Sequence, residues 1–415
     1  MTLRSLRLLV FVFLPIALLT MLGKAHATEY YISSVTGNDA NSGLSPDSAW
    51  QSISRANNSA FRPGDRILLH AGEIWHEQLR PASSGTQELP IVFSSYGGGG
   101  RPILEGNPGR ALERGKSTAR HSQETTRAGD VGINNNDQSH LLYDGLELRH
   151  VMEGLRIYVW SAPVRDITLH NCRIQVEASA PNGLSSAAVY ANVRTGSITD
   201  LRILDNHLTP YPRGLEHWGI YFVSGVQHFQ INGNTVGPAG EDGITVWHSA
   251  YGEISHNQGG GNGENTIDIK DSHDVVIFDN IADLDREYNI VVHSVDAPDS
   301  TYNVRVAGNR CSRGGQGGEL SAGIALLFVQ KSGVEKNVVD SAFGSGILIK
   351  DCGPHPGNWA SHNRLRGNGV GQRLPAIMLQ GTSTARIEEN EISPPSGRPR
   401  LARILRPCAG GRKML

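Results

Sequence analysis

The sequence predicts an all-β fold, a single-stranded right-handed parallel β-helix, on three observations. Short apolar alternations recur at a step near 23 residues, an Asn recurs in register with them, and helical periodicity of useful length is nearly absent. The leading alternation passes through Ile220, Ile244, Ile267, Ile290, Ile324, Ile347 and Ile377, in steps of 24, 23, 23, 34, 23 and 30 residues. A step near 23 is that of a three-strand coil, and the longer steps are coils that carry loops. Alternate residues of a strand face inward, so these positions stack coil on coil into one continuous core. The second repeat is Asn206, Asn234, Asn257, Asn280, Asn309, Asn337, Asn363 and Asn390. A lone Asn is a common turn residue. A column of them, one per coil, satisfies itself because each amide both donates and accepts.

The elements follow in chain order. Arg4 and Arg7, the apolar run from Leu8 to Leu22 and the small-x-small site Ala25-His26-Ala27 read as a secretory signal over 1–27. The run is short for a membrane span, so export followed by cleavage is expected, to the periplasm or beyond, with no stable membrane span remaining. Residues 28–392 form the β-helix domain, with a short helical cap around Ser48 to Asn57 and regular coils from near Ile91 to about Ile392. Two stretches depart from the repeat: Asn107 to Asp137, polar and read as an inserted loop, and Asp296 to Leu320, which holds the Gly-rich run Gly314 to Gly318. Residues 393–415 carry six basic residues and no acid, and read as a disordered tail.

Composition excludes some functions. The formal net charge of the 415 residues is -2, which gives no global attraction to nucleic acid or an anionic membrane. The four cysteines, Cys172, Cys311, Cys352 and Cys408, fit no metal motif; each is a buried small residue or half of an optional disulfide. A monomer is expected.

The mature N-terminus runs Tyr30-Tyr31-Ile32-Ser33, Gly37-Asn38-Asp39-Ala40-Asn41-Ser42-Gly43, Ala49-Trp50-Gln51-Ser52-Ile53, Pro63-Gly64-Asp65-Arg66-Ile67-Leu68-Leu69, Gly72-Glu73-Ile74-Trp75 and Pro90-Ile91-Val92-Phe93. This order resembles the N-terminal segment of β-helix polysaccharide lyases, notably pectate lyases of the family-nine type. The resemblance is specific for the superfamily and not for substrate, because non-lyase β-helix proteins share the segment. It implies a calcium site built on an Asp-Asp-Gly-x-Asp run, helped by an acid one coil earlier, and a Lys base on a later coil. Here the run is Glu241-Asp242-Gly243-Ile244-Thr245, with Thr245 in place of the third acid. Glu216 is the candidate extra ligand and Lys270 the candidate base. Asp268-Ile269-Lys270-Asp271 is also similar to the Asp-Pro-His-Asp run of β-helix mannuronan epimerases, with Lys for His. Glu264 ahead of Lys270 is similar to the acids that precede a Lys in some alginate and chondroitin lyases.

The coil register gathers chemistry on one outer face. Asp268 and Lys270 alternate with inward Ile267 and Ile269; Thr245 and Trp247 precede them by one coil, and Val291 and His293 follow. At the strand entrance His217, Glu241, Glu264 and Glu287 form a column in steps of 24, 23 and 23. This set suits uronate chemistry. Calcium held by Glu241, Asp242, Glu264 and Glu216 would stabilise an enediolate, Lys270 would abstract the C5 proton with Asp268 and His293 beside it, and Trp247, His217 and Glu287 would bind sugar. An exported lyase acting on an acidic polysaccharide is the leading expectation. A C5 epimerase would use the same residues. A glycoside hydrolase would use Asp242 and Asp268 as a carboxylate pair, and a non-catalytic glycan-binding β-helix needs no base. Singly, each charged residue, and each histidine above all, also fits a solvated surface group. An outward Lys270 contributes little to the core, so Lys270→Ala is expected to leave folding intact.

Overall fold

The computed structural model describes residues 27–106, 131–177, 186–212, 214, 216–316, 321–353, 357–369 and 374–393. Among these the chain is a right-handed parallel β-helix of three sheets, with 14, 12 and 10 strands and every named strand pair parallel. The fold class is as the repeat predicts. One coil shows the plan: Ala250–Ser255 lies in the first sheet, Gln258–Gly260 in the second and Asn265–Lys270 in the third, and the chain then re-enters the first sheet at His273–Phe278. The seven repeating isoleucines pair in consecutive register and are at most 1% exposed, in one core that runs the length of the solenoid.

The Asn column lies at the turn between the first and second sheets. Each Nδ2 donates to the next Oδ1 at 2.9–3.0 Å, from Asn206 through to Asn390, and the same Oδ1 accepts the preceding Asn's backbone N–H. The residue before each Asn has a φ of 50–70°, which brings the amide inward. Asp205, His256, Asp279, Lys336, His362 and Glu389 adopt that left-handed conformation; Gly233 and Gly308 fill it without a Cβ penalty.

Three expectations need correction. Regular stacking begins before Ile91: Glu29–Ile32, Arg66–His70 and Ile91–Tyr96 are already successive strands of the first sheet. The stretch read as an insertion ends in a strand, Val131–Asn136, which opens the third sheet. The segment read as departing from the repeat at 296–320 contains Tyr302–Ala307 and Arg310–Ser312, both in the ladder. The helical cap is Ile53–Asn57, capped by Ser52 Oγ accepting from Arg55 N–H. Cys172, Cys311 and Cys352 are buried and free, as small core residues. The signal segment up to residue 26, residues 107–130, Gly317 and Gly318, Cys408 and residues 394–415 of the tail lie outside the described residues. No helix among the described residues is long and apolar enough to cross a membrane.

Candidate active site

The third sheet places the site. Its strands pair Tyr221 with Thr245, Thr245 with Asp268, and Asp268 with Val291, while Trp247, Lys270 and His293 form the parallel column two residues on. His217, Glu241, Glu264 and Glu287 follow one another by backbone hydrogen bonds at the strand entrance. Both columns are those the coil spacing predicts.

Lys270 is the hub. Its Nζ lies 2.9 Å from Asp268 Oδ2 and 3.7 Å from Asp242 Oδ2. Asp268 Oδ1 is 2.8 Å from His293 Nε2. Asp268 lies on the outer face as expected, yet its side chain is only 2% exposed, covered by these partners. Burial opposes its charge, but His293 and Lys270 outweigh burial and draw its pKa down to about 2. Burial likewise works against the Lys270 ammonium, and Asp268 and then Asp242 outweigh it, so the pKa rises. Lys270 is therefore held charged. An abstracting amine needs the opposite, so the expected Lys270 base is not what this geometry favours, and its burial means that it is not a bystander to folding.

The neighbouring acids behave differently from Asp268. Asp242 is fully buried; Oδ1 accepts from Asn265 N–H (3.1 Å) and Nδ2 (2.8 Å), and Oδ2 accepts from Thr245 Oγ1 (2.8 Å). Burial and the Asp268 charge raise its pKa well above the usual carboxylate range. Glu241 is also raised by burial. Glu264, half-buried, is pushed up to about 7 by burial and by Glu241 and Glu287. Ligand oxygens of Glu241, Asp242 and Glu264 lie within 4.8 Å of one another. Calcium takes six to eight oxygens. The fit is incomplete, because both Asp242 oxygens already accept hydrogen bonds and the Lys270 ammonium stands where a cation would neutralise the group. Glu216 joins through its backbone N–H, donated to Glu241 Oε2 at 2.7 Å.

The remaining candidates are placed as follows. His217 is half-buried, with Nδ1 2.8 Å from Ser186 Oγ and its ring against Tyr211; burial lowers its pKa. Glu287 is exposed at the end of the Glu column. Trp247 is half-buried and donates Nε1–H to Asp271 Oδ2 at 2.9 Å. Asp271 also accepts from Ser300 and from the backbone of Val295 and Asp296, so the His248–Asp271–Asp296 group braces a loop. Sequence reasoning missed Trp218 and Tyr221, whose rings stack at 4.1 Å beside the acids. The signal was present, since each stands 24 residues before a site residue, Asp242 and Thr245.

This fold, with paired acids on one outer face, defines a class of solenoids that present side chains in columns. Known proteins give it context. The family described as NosD, periplasmic copper-binding protein, matches residues 200–394. A lacto-N-biosidase from Bifidobacterium longum subsp. longum is 26% identical over 352 residues, covering 76% of this chain and 20% of that protein. The chain thus spans about one fifth of the length of that curated relative. The crystal structure of a GH136 lacto-N-biosidase from Eubacterium ramulus superposes with a TM-score of 0.58 at 17% identity, over 88% of this chain and 68% of that one. The pectate lyase Pel9A aligns at 14% identity and a TM-score of 0.37, over 89% and 79%.

Proposed function

We propose that this protein is an exported glycoside hydrolase whose substrate is a neutral glycan. The observation that carries the reading is the split in carboxyl behaviour on one strand and its neighbours. Asp268 is held ionised near a pKa of about 2 while Glu264 is pushed up to about 7. Glycosidases need one carboxylate that stays charged and one carboxylic acid that donates a proton to the leaving oxygen, and environments that separate two pKa values assign those roles. Glu264 is the proton donor, with oxygens of Glu241 and Asp242 within 4.8 Å. Asp268 is the anion that stabilises the oxocarbenium-like centre, with Lys270 and His293 keeping it charged and positioned. The Lys270 ammonium is already engaged by Asp268 and Asp242, so a neutral sugar suits the site better than the acidic polymer expected from sequence. The 26% identical relative, named for its action as a lacto-N-biosidase, supports a glycosidase of this kind.

A second reading keeps the lyase. The Asp268–His293 pair orients an imidazole that could abstract a proton while the Lys270 ammonium neutralises a uronate carboxylate. One panel decides between them. Neutral and uronate-containing oligosaccharides are incubated with the protein, and products are read for new reducing ends and for absorbance of a conjugated double bond. Reducing ends without that absorbance, lost in Asp268→Asn and Glu264→Gln, support the hydrolase. An unsaturated uronate product overturns it.

A further inference from the structure

Resting on the glycan-cleaving reading, we infer that the outer face of the third sheet on the N-terminal side of the acids is an oligosaccharide track ending in a distal subsite of Tyr158, Trp160 and Arg194. Beginning at the acids, buried Trp218 stacks on buried Tyr221 at 4.1 Å and 28°, and buried Tyr190 meets Tyr221 edge-on at 5.9 Å, so these rings back the face while half-buried Trp247, Val223 and Asn192 line it. Two coils before Trp218, Tyr158 lies 4.4 Å from Trp160, and the Arg194 guanidinium sits over the Trp160 ring at 5.4 Å.

This distal group is preorganised. Asp137 accepts from Trp160 N–H at 2.7 Å and from Ser161 Oγ at 2.8 Å, which fixes the turn that presents the indole. Trp160 and Tyr158 are half-buried and Arg194 is exposed, so ring surface and guanidinium donors both reach solvent. An indole face with donors at its rim is the chemistry that recognises a pyranose, whose C–H face is apolar and whose edge is hydroxylated. Tyr158 pairs with Asn192, and that column continues through Val223 and Trp247 to Lys270. Four coil steps of about 4.8 Å put the subsite about 19 Å from Lys270. A β-linked chain lying along the solenoid axis advances roughly one pyranose per coil, so a disaccharide cannot bridge the two and about four sugars can. In the opposite direction, among the described residues, the Asp268 column continues as the apolar Val291, Ala325, Leu348 and Met378.

The test is chain length. The full-length protein and its Trp160→Ala, Trp160→Phe and Met378→Ala variants are assayed on neutral β-linked oligosaccharides from disaccharide to octasaccharide. kcat/KM of the wild type should climb until the chain reaches Trp160. Trp160→Ala should lose about tenfold on the longest chains, the factor that 1.4 kcal/mol represents, and nothing on the shortest. Trp160→Phe should recover most of the loss, and Met378→Ala should follow the wild type. If no member of the series is hydrolysed, the same proteins are titrated with the octasaccharide by calorimetry. Binding that Trp160→Ala weakens keeps the track while the hydrolase reading falls. No binding by the wild type, or the same length dependence in Trp160→Ala, overturns the track.

Discussion

Asp285 is sealed inside the solenoid at 0% exposure, and its charge state should set how stability varies with pH. Its oxygens accept from Asn262 N–H (3.2 Å) and Nδ2 (2.8 Å), Thr266 Oγ1 (2.6 Å) and Asn289 Nδ2 (2.8 Å). Burial outweighs these donors and pushes its pKa up to about 7, whereas an unfolded Asp titrates near 3.9. The folded state keeps the proton where the unfolded state has lost it. The stability this group contributes is therefore full below about pH 4 and lost as pH rises through about 7. A gap of about three pH units corresponds to about 4 kcal/mol. Asp285→Asn removes the titration and keeps the shape of the neutral acid. Its Oδ1 continues to accept from Asn262, while its Nδ2 turns toward Asn289 Oδ1, a buried acceptor with no partner among the described residues. The Thr266 hydroxyl, which already accepts from Asn262 Nδ2, can accept here as well. The stability of the variant relative to the wild type should rise by about 2–3 kcal/mol from pH 5 to pH 8. Urea midpoints of both proteins from pH 5 to 8 measure this, read as the difference between them because other groups titrate equally in both. A difference that is flat or shrinks with rising pH refutes the reasoning.

Lys270→Ala removes the ammonium that two buried carboxylates share, so it should lower stability by about 3–5 kcal/mol, seen as a drop in thermal midpoint. This reverses the expectation that an outward Lys is dispensable. The acid that donates a proton must hold one, so hydrolysis should fall as pH rises through about 7, and Glu264→Gln should remove that limb along with most of the rate. Asn257→Ala leaves the Asn234 backbone N–H without its acceptor, and should cost about 2–4 kcal/mol and speed amide exchange at Asn234. A Cβ at Gly252 would fall 1.9 Å from the Phe229 ring, so Gly252→Ala should cost about 1–3 kcal/mol by calorimetric unfolding.

The fold was legible from residue 220 onward because the solenoid turns sequence period into spatial column. Ile244 and Ile267 touch because 23 residues separate them, and Asn234 and Asn257 bond for the same reason. The first coils were hidden because their pairings, such as Tyr31 with Leu68 and Leu68 with Ser94, follow no fixed step. Val131–Asn136 was hidden because a polar stretch rich in Asn carries no clear alternation. At the site, the columns of Glu241, Glu264, Asp268, Lys270 and His293 were readable by counting. Their electrostatics were not. Counting places Asp268 and Lys270 outward, but their contacts with His293, Asp242 and each other decide, against burial, that Asp268 stays charged and Lys270 keeps its proton, and such side-chain contacts are not encoded by spacing.

The stacked acids also explain why the ammonium is where it is. A solenoid that repeats Glu at one strand position brings like charges to the distance between neighbouring strands, about 4.8 Å, where their repulsion is substantial in a partly dry site. Two responses are open to such a column: bind protons or bind a cation. Glu241, Asp242 and Glu264 show the first response in their raised pKa values. Lys270 supplies the second from within the chain, and it sides with Asp268, at 2.9 Å, over Asp242, at 3.7 Å. That unequal sharing leaves one acid held charged beside acids whose pKa values are raised. Moving the ammonium toward Asp242 would even out the pKa values and remove the division of roles on which acid-assisted glycoside cleavage depends.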